Sequence, residues 1–259
     1  MLRRALNLVL PPLMWLSSSM NLLTDSARSP ADMSDANPSL LVPPGIAFSI
    51  WLPIFLFCIA YGVIQALPSQ KKNVLFKRVG WWTAAGFAAV CGWGLINGFW
   101  PAASVQMVTA IWFVPSMLLL VRAMLRFQSA ETETGITSWP SKIGISMIAG
   151  WCSIAVFLNW APQTAAWLEQ MSLSPVTASV VILAGALLWI GFIGFKSRGN
   201  GAYLFPPIWG LALLVYKRLN ADPAYIPIVI TAIIGIAALA LIFIVMGRNR
   251  RAGVQRPLR

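Results

Sequence analysis

Residues 226–246 read IPIVITAIIGIAALALIFIVM, a run of 21 residues without a charged side chain. An α-helix rises 1.5 Å per residue, so about 20 apolar residues cross the roughly 30 Å hydrocarbon core of a bilayer. A helix that is hydrophobic on all sides is buried in a large core or in a membrane. This stretch therefore predicts a membrane-spanning helix.

The rest of the chain repeats this pattern between breaker residues. The eight predicted spans are 4–23, 45–67, 79–99, 102–125, 143–160, 174–196, 202–217 and 226–246. The first and seventh are the least regular, because proline pairs at 11–12 and 206–207 interrupt them and remove backbone donors. We predict an all-α fold, a polytopic integral membrane helix bundle of about eight transmembrane helices.

The composition supports a membrane environment. Of 259 residues, 58% are hydrophobic and 10% charged, against about 25% charged in an ordinary soluble domain. The net charge of +12 is also typical of nucleic-acid-binding proteins, but here the basic residues cluster at the ends of apolar runs and form no reading motif. We expect membrane lipid as a partner and no nucleic acid.

The charge distribution predicts the topology. Lys and Arg are retained on the cytoplasmic side of a membrane. With the N-terminus inside and eight spans, all 19 basic residues fall inside except Arg28, Lys217 and Arg218. We therefore predict that both termini are cytoplasmic, in a bacterial inner membrane, and that residues 248–259 form a basic cytoplasmic tail that touches anionic lipid.

The N-terminus allows a second interpretation. Basic residues followed by an apolar stretch and three serines also resemble a secretory signal peptide. Pro11, Pro12 and Trp15 in that stretch favour a retained, kinked helix over a cleaved one.

The chain lacks the residues that most catalytic mechanisms need. It has no histidine, and none of its seven carboxylates lies well inside a span, which disfavours proton-coupled transport, histidine-based metal sites and acid–base catalysis. Cys58, Cys91 and Cys152 lie inside spans without metal-ligand spacing and are expected to pack. We predict no enzymatic activity, no metal and no resident cofactor.

The 13 tryptophans divide by depth. Some lie near span ends, as in an interfacial belt. Five lie centrally or in the outward halves of spans one to five, at one depth: Trp15, Trp51, Trp93, Trp112 and Trp151. They predict an aromatic-lined region within the bundle.

Helical spacing adds further side chains to this region. The faces so defined are Phe48, Trp51 and Phe55; Trp93 and Asn97, with Trp100 of the interfacial belt further along; and Trp151, Ala155 and Asn159. Ring faces and amides suit a flat hydrophobic ligand. Spacing alone favours ordinary helix packing over a pocket, so both interpretations stay open at this point.

Two other features have structural or functional interpretations. The segment 24–44 is long for a connection in a membrane bundle, so it is either a lid, with Pro43 and Pro44 at the cavity mouth, or a plain solvated loop. Small residues such as Gly94 and Gly98 permit close helix approach. They are expected to serve packing within the bundle, and a homodimer through one such face is an alternative.

Two motifs resemble a known family. Residues 42–51, VPPGIAFSIW, are similar to the proline-rich start of the second helix in the tryptophan-rich sensory protein (TspO/translocator, TspO/MBR) family, and residues 150–159, GWCSIAVFLN, to its fifth-helix signature. Phe55 stands where the family has tyrosine. The chain thus resembles a longer variant with additional C-terminal helices.

The resemblance implies a TspO-like five-helix membrane domain over 1–162, a three-helix membrane extension over 163–247 and the basic tail over 248–259. It also implies a membrane receptor or sensor that binds a planar hydrophobic ligand, a tetrapyrrole such as a porphyrin or a sterol-like molecule. With the resemblance, the pocket is favoured over packing. The alternative function is a facilitative small-molecule transporter or permease.

Overall fold

The computed structural model describes residues 1–29, 32, 39–101 and 104–254, with side chains up to residue 247. Part of the predicted lid segment, the start of the fourth predicted span and the side chains of the predicted basic tail therefore lie outside the described residues. In the described chain the eight α-helices are α1 Leu2–Ser18, α2 Trp51–Ala66, α3 Val74–Phe99, α4 Val105–Thr134, α5 Trp139–Gln170, α6 Pro175–Lys196, α7 Gly201–Leu219 and α8 Ile226–Val254. They confirm the all-helical fold and the number and order of the predicted elements.

Local sequence determines several helix ends. Asn73 begins α3 by accepting a hydrogen bond from the Leu75 amide at 2.9 Å, as expected of an N-cap asparagine. Ser174 does the same for α6, with Pro175 in the first turn. Gly135, at φ +67°, terminates α4 in a left-handed conformation that glycine adopts without strain.

The helix contacts form two closed rings. Helices α1, α2, α5, α4 and α3 contact one another in that circular order. Helices α5, α6, α8 and α7 form a second circle. α5 belongs to both rings and continues to Gln170, so the predicted boundary at residue 162 falls within this helix.

The surface of the bundle is suited to lipid. Large apolar side chains are exposed along the helices, for example Leu188 and Ile234 at 76% and 62%, as expected where the solvent is hydrocarbon. Among the residues that the structure describes, six helical segments are long and apolar enough to cross a membrane. α1 and α7, the two helices with internal proline pairs, are not among the six. Both helices are members of the rings: α1 packs against α2 and α3, and α7 packs against α5 and α8. The chain is an integral membrane protein.

The two ends of the bundle differ in charge. The basic end holds the start of α1 and the α2–α3 turn, with Arg3, Arg4 and Lys71. The loop end holds the segment between α1 and α2 and the end of α7.

Candidate ligand site

An aromatic cluster occupies the middle of the five-helix ring. The Trp51 ring on α2 stacks on Phe55, at a centroid distance of 5.1 Å, and on Trp93 of α3 at 5.6 Å. Trp151 of α5 meets Trp51 edge-on at 6.1 Å, and Phe48 meets Trp151 edge-on at 6.2 Å. The structure thus brings together all five predicted aromatic site residues from α2, α3, α5 and the 3₁₀ turn Gly45–Ile50.

The rings of this cluster fill the space between them. Trp51 and Trp93 are each 6% exposed, and Trp151 is 1% exposed. Non-bonded carbon atoms are best separated by 3.5–4.0 Å, so a planar ligand inserted between two rings needs roughly 7–8 Å between them. The observed 5.1–5.6 Å spacing therefore requires a ring to move before a flat molecule can enter.

Two polar groups in the cluster lack partners. The indole Nε1 atoms of Trp51 and Trp93 are buried and have no hydrogen-bond acceptor among the described residues. A buried donor without an acceptor costs about 1–3 kcal/mol. These two donors would be satisfied by a ligand that presents acceptor atoms to them.

The predicted amides lie on the same helices as the cluster. Asn97 follows Trp93 by one turn on α3 and is buried, 5% exposed. Asn159 is half-buried, and its Nδ2 donates to the Ala155 carbonyl at 2.8 Å within α5. Since that donor is engaged by its own helix, Asn159 is less available to a ligand than the two indoles.

Trp15 and Trp112 do not join the cluster, and this part of the prediction is wrong. They are 39% and 40% exposed, and Trp112 Nε1 donates to the Ala89 carbonyl at 2.7 Å. Their chain neighbours Met14 and Phe113 are fully buried instead. Consecutive helical residues point about 100° apart, so depth alone did not predict the inward-facing residue.

Phe113 is a cluster residue that sequence reasoning missed. Its ring lies 5.1 Å from that of Trp93, at an interplanar angle of 68°, and it is supplied by α4. The cluster therefore draws on four helices of the five-helix ring and not on α1.

The segment that precedes α2 is fastened to α7. Arg218, at the end of α7, is 9% exposed; its Nε donates to the Leu40 carbonyl at 2.6 Å and its Nη2 to the Ser39 carbonyl at 3.2 Å. Lys217 Nζ donates to the Pro43 carbonyl at 3.4 Å, and Trp209 Nε1 to the Ala47 carbonyl. Helix α7 of the second ring thus holds the backbone at the end of the predicted lid segment and at the start of the following 3₁₀ turn.

The prolines of the predicted lid are themselves packed. Pro43 is buried and Pro44, half-buried, precedes the 3₁₀ turn. Pro43 also lines a small apolar cavity of about 20 Å³ between α5, α6 and α7. Trp151 and Gly210 line the same cavity. Such a volume is close to that of a single water molecule, so this cavity does not accommodate a flat ligand.

The α7 contacts were missed by sequence reasoning, although a signal was present. Arg218 and Lys217 are two of the three basic residues that the charge rule places on the outer side. The third, Arg28, donates from Nε to the Asn97 carbonyl at 3.3 Å and from Nη2 to the Trp100 carbonyl. All three exceptions to the rule bind backbone carbonyls at the loop end.

Comparison with known proteins yields one match. A family model described as TSPO-like protein matches residues 8–246, which include both sequence motifs, the aromatic cluster and all three C-terminal helices except the last residues of α8. No curated protein and no solved structure matches the chain.

Proposed function

Since the chain belongs to the TSPO-like protein family, we propose that it is a membrane receptor or sensor that binds a planar hydrophobic ligand in the aromatic cluster. The observation that carries this proposal is the pair of buried indole donors on Trp51 and Trp93, which have no acceptor within a cluster of aromatic rings. Ring faces supply contact area, and the two N–H groups supply orientation.

The donors also favour one ligand class within the proposal. A tetrapyrrole has a large flat face and polar acceptor groups at its edge, so it matches both the stacking surfaces and the two donors. A sterol-like molecule offers at most a few acceptors and no flat aromatic face. We therefore place a porphyrin-type tetrapyrrole ahead of a sterol.

Binding requires the cluster to open. Trp51 contacts three other rings, Phe55, Trp93 and Trp151. Displacement of the Trp51 ring therefore breaks all three contacts and creates space for a planar molecule. Aromatic pairs contribute about 0.5–1.5 kcal/mol each beyond buried area, and the ligand's own stacking contacts replace them. In this proposal the ligand does not undergo covalent chemistry, and the protein requires no cofactor.

Titration with protoporphyrin IX, followed by quenching of tryptophan fluorescence in the purified protein, tests the proposal. We expect saturable quenching that weakens at least tenfold in the variant Trp51→Ala/Trp151→Ala. The matched control Trp15→Ala/Trp112→Ala also removes two tryptophans, but from outward-facing positions, and is expected to bind like the unaltered protein. Equal affinity in both double variants would place the ligand elsewhere.

A single substitution tests the donor separately from the ring. Trp51→Phe retains an aromatic face and removes the N–H, so we expect porphyrin affinity to fall about fivefold, in line with about 1 kcal/mol for a net hydrogen bond. Uptake of the same porphyrin into proteoliposomes distinguishes a receptor from a facilitative transporter. Time-dependent accumulation in the vesicle lumen would favour the transporter.

A further inference from the structure

A groove lies at the basic end of the bundle, at the opposite end of α2 from the 3₁₀ turn that carries Phe48. The start of α1, the end of α2 and the turn before α3 border this open groove of about 780 Å³, a volume within the roughly 300–1,000 Å³ typical of small-ligand sites. Arg3, Arg4 and Lys71 supply its cationic side chains. Leu8 and Trp81 supply an apolar wall and are 41% and 56% exposed.

Two of the cations are held in place by the backbone. Arg4 donates from Nε to the Gln65 carbonyl at 3.1 Å and from Nη2 to the Leu67 carbonyl at 2.7 Å, at the end of α2. Arg3 donates from Nη1 to the Lys77 carbonyl at 3.0 Å. Backbone carbonyls are uncharged acceptors, so these hydrogen bonds order the two guanidinium groups without neutralising them. Because they are already ordered, an anion binds them at a lower entropic cost.

The groove has no carboxylate among its lining residues in the described chain. The two acidic residues near the end of α4 pair with other cations: Glu131 with Lys142 at 2.6 Å, and Glu133 with Arg78. No described carboxylate therefore neutralises the groove, and its positive charge is available to an anionic ligand.

The apolar wall continues from the cations into the membrane. Leu8 follows the first residue of α1 by six positions and Trp81 follows that of α3 by seven, so both lie roughly 10 Å further along their helices. An exposed tryptophan at such a depth is typical of the level of lipid headgroups and upper acyl chains. An occupant of this groove has to be anionic at one end and apolar at the other.

We propose that this groove is a binding site for an anionic phospholipid. The phosphate contacts Arg3, Arg4 and Lys71, and the upper part of an acyl chain lies along Leu8 and Trp81. Basic pockets between membrane helices bind anionic headgroups in this manner. The inference does not depend on the proposed function, since the groove and the aromatic cluster share no residue.

Native mass spectrometry of the detergent-solubilised full chain tests the site. The protein is titrated with phosphatidylglycerol and with phosphatidylcholine of the same acyl chains, and retained lipid is counted. We expect the first phosphatidylglycerol to bind at least tenfold more tightly than phosphatidylcholine. In the variant Arg3→Gln/Lys71→Gln this preference should be lost, since removal of two basic residues, each contributing about fivefold at an anionic lipid surface, weakens phosphatidylglycerol binding about 25-fold.

The matched control is Lys72→Gln/Lys77→Gln, which removes the same charge from the same end but from side chains that do not line the groove. It should retain the preference within twofold. An equal loss in both double variants would indicate diffuse attraction and overturn the site. Displacement of the lipid by millimolar inorganic phosphate would overturn the lipid as occupant, because a free anion lacks the apolar contacts.

Two further variants keep the test decisive if Arg3→Gln disturbs the fold. Lys71 is exposed, so Lys71→Gln alone is expected to fold and to weaken phosphatidylglycerol binding about threefold to fivefold. The variant Arg3→Lys/Lys71→Arg preserves both charges and should bind like the unaltered protein. Unchanged phosphatidylglycerol binding in Lys71→Gln would overturn the site as proposed, since Lys71 is one of its three cations.

Discussion

The residues of the aromatic cluster show which details of a membrane protein follow from sequence. Two of the five deep tryptophans, Trp15 and Trp112, face outward, and their neighbours Met14 and Phe113 face inward. In a soluble helix, hydrophobic periodicity would identify the buried face. In a membrane, lipid and protein interior are equally apolar. Composition therefore does not show which of two adjacent apolar residues faces the interior of the bundle.

Phe113 should matter more for stability than the tryptophan beside it. Phe113 is fully buried against Trp93, so Phe113→Ala leaves a cavity and should destabilise the protein by about 3 kcal/mol or more. Trp112→Ala removes an exposed ring and one hydrogen bond to Ala89, and we expect less than half that effect. Thermal unfolding in detergent measures both, and an equal loss would show that Phe113 is not part of the packed cluster.

At the scale of elements, α7 links the C-terminal helices to the predicted lid. The sequence predicted a long connection before α2, either a lid that includes Pro43 and Pro44 or a plain solvated loop, but it did not predict that Arg218 would bind the same segment. The charge rule marks Arg218 as an exception, but the carbonyls that it binds depend on tertiary placement, which the local sequence does not encode.

Removal of the Arg218 contacts should loosen this segment alone. Arg218→Gln deletes charge-assisted hydrogen bonds to the carbonyls of Ser39 and Leu40, each worth about 1.5–3 kcal/mol. Hydrogen–deuterium exchange of residues 40–47 should then be at least tenfold faster. Arg28→Gln, which acts on the end of α3, should leave that exchange unchanged. If Arg28→Gln accelerates this exchange as much as Arg218→Gln does, the contacts of the two arginines are not independent.

The contact between α5 and α7 should not tolerate a methyl group. A Cβ added at Gly150 would lie 2.0 Å from the Tyr203 carbonyl oxygen, so Gly150→Ala must push the two backbones apart. We expect a loss of more than about 2 kcal/mol, measured by thermal unfolding. At Gly185 an added Cβ meets only the Phe157 side chain at 3.8 Å, so Gly185→Ala should be nearly neutral. A neutral Gly150→Ala would show that the helices are not in this close contact.

At the scale of the whole molecule, the sequence predicted the membrane environment, the eight helices and their order, because apolar length and proline breaks are local signals. It did not predict the two rings, because neighbour relationships among apolar helices depend on small residues and polar pairs. The Asn200–Ser146 and Tyr203–Ser153 hydrogen bonds between α7 and α5, at 2.9 and 3.1 Å, are such pairs.

The orientation of the bundle is a prediction from charge that can be checked by cysteine labelling. In a background of Cys58→Ala, Cys91→Ala and Cys152→Ala, the exposed positions Ser26 and Ser69 report on the loop end and the basic end. An impermeant maleimide should label the Ser26→Cys variant in intact cells and the Ser69→Cys variant only after the membrane is opened. The reverse pattern would place the basic end outside.

The shared helix α5 has a consequence for how this protein changes over time. In its most apolar stretch 72% of residues are buried, compared with 28% for α8, and its neighbours are α2, α4, α6 and α7. A substitution on α5 therefore has to fit the side chains of several neighbouring helices at once. On the lipid-facing side of α8, one apolar residue can replace another without disturbing a protein contact. Homologous chains should therefore diverge fastest along α8 and slowest along the middle of α5. Sequence differences among close relatives should accumulate mainly in α8, the less buried of these two helices.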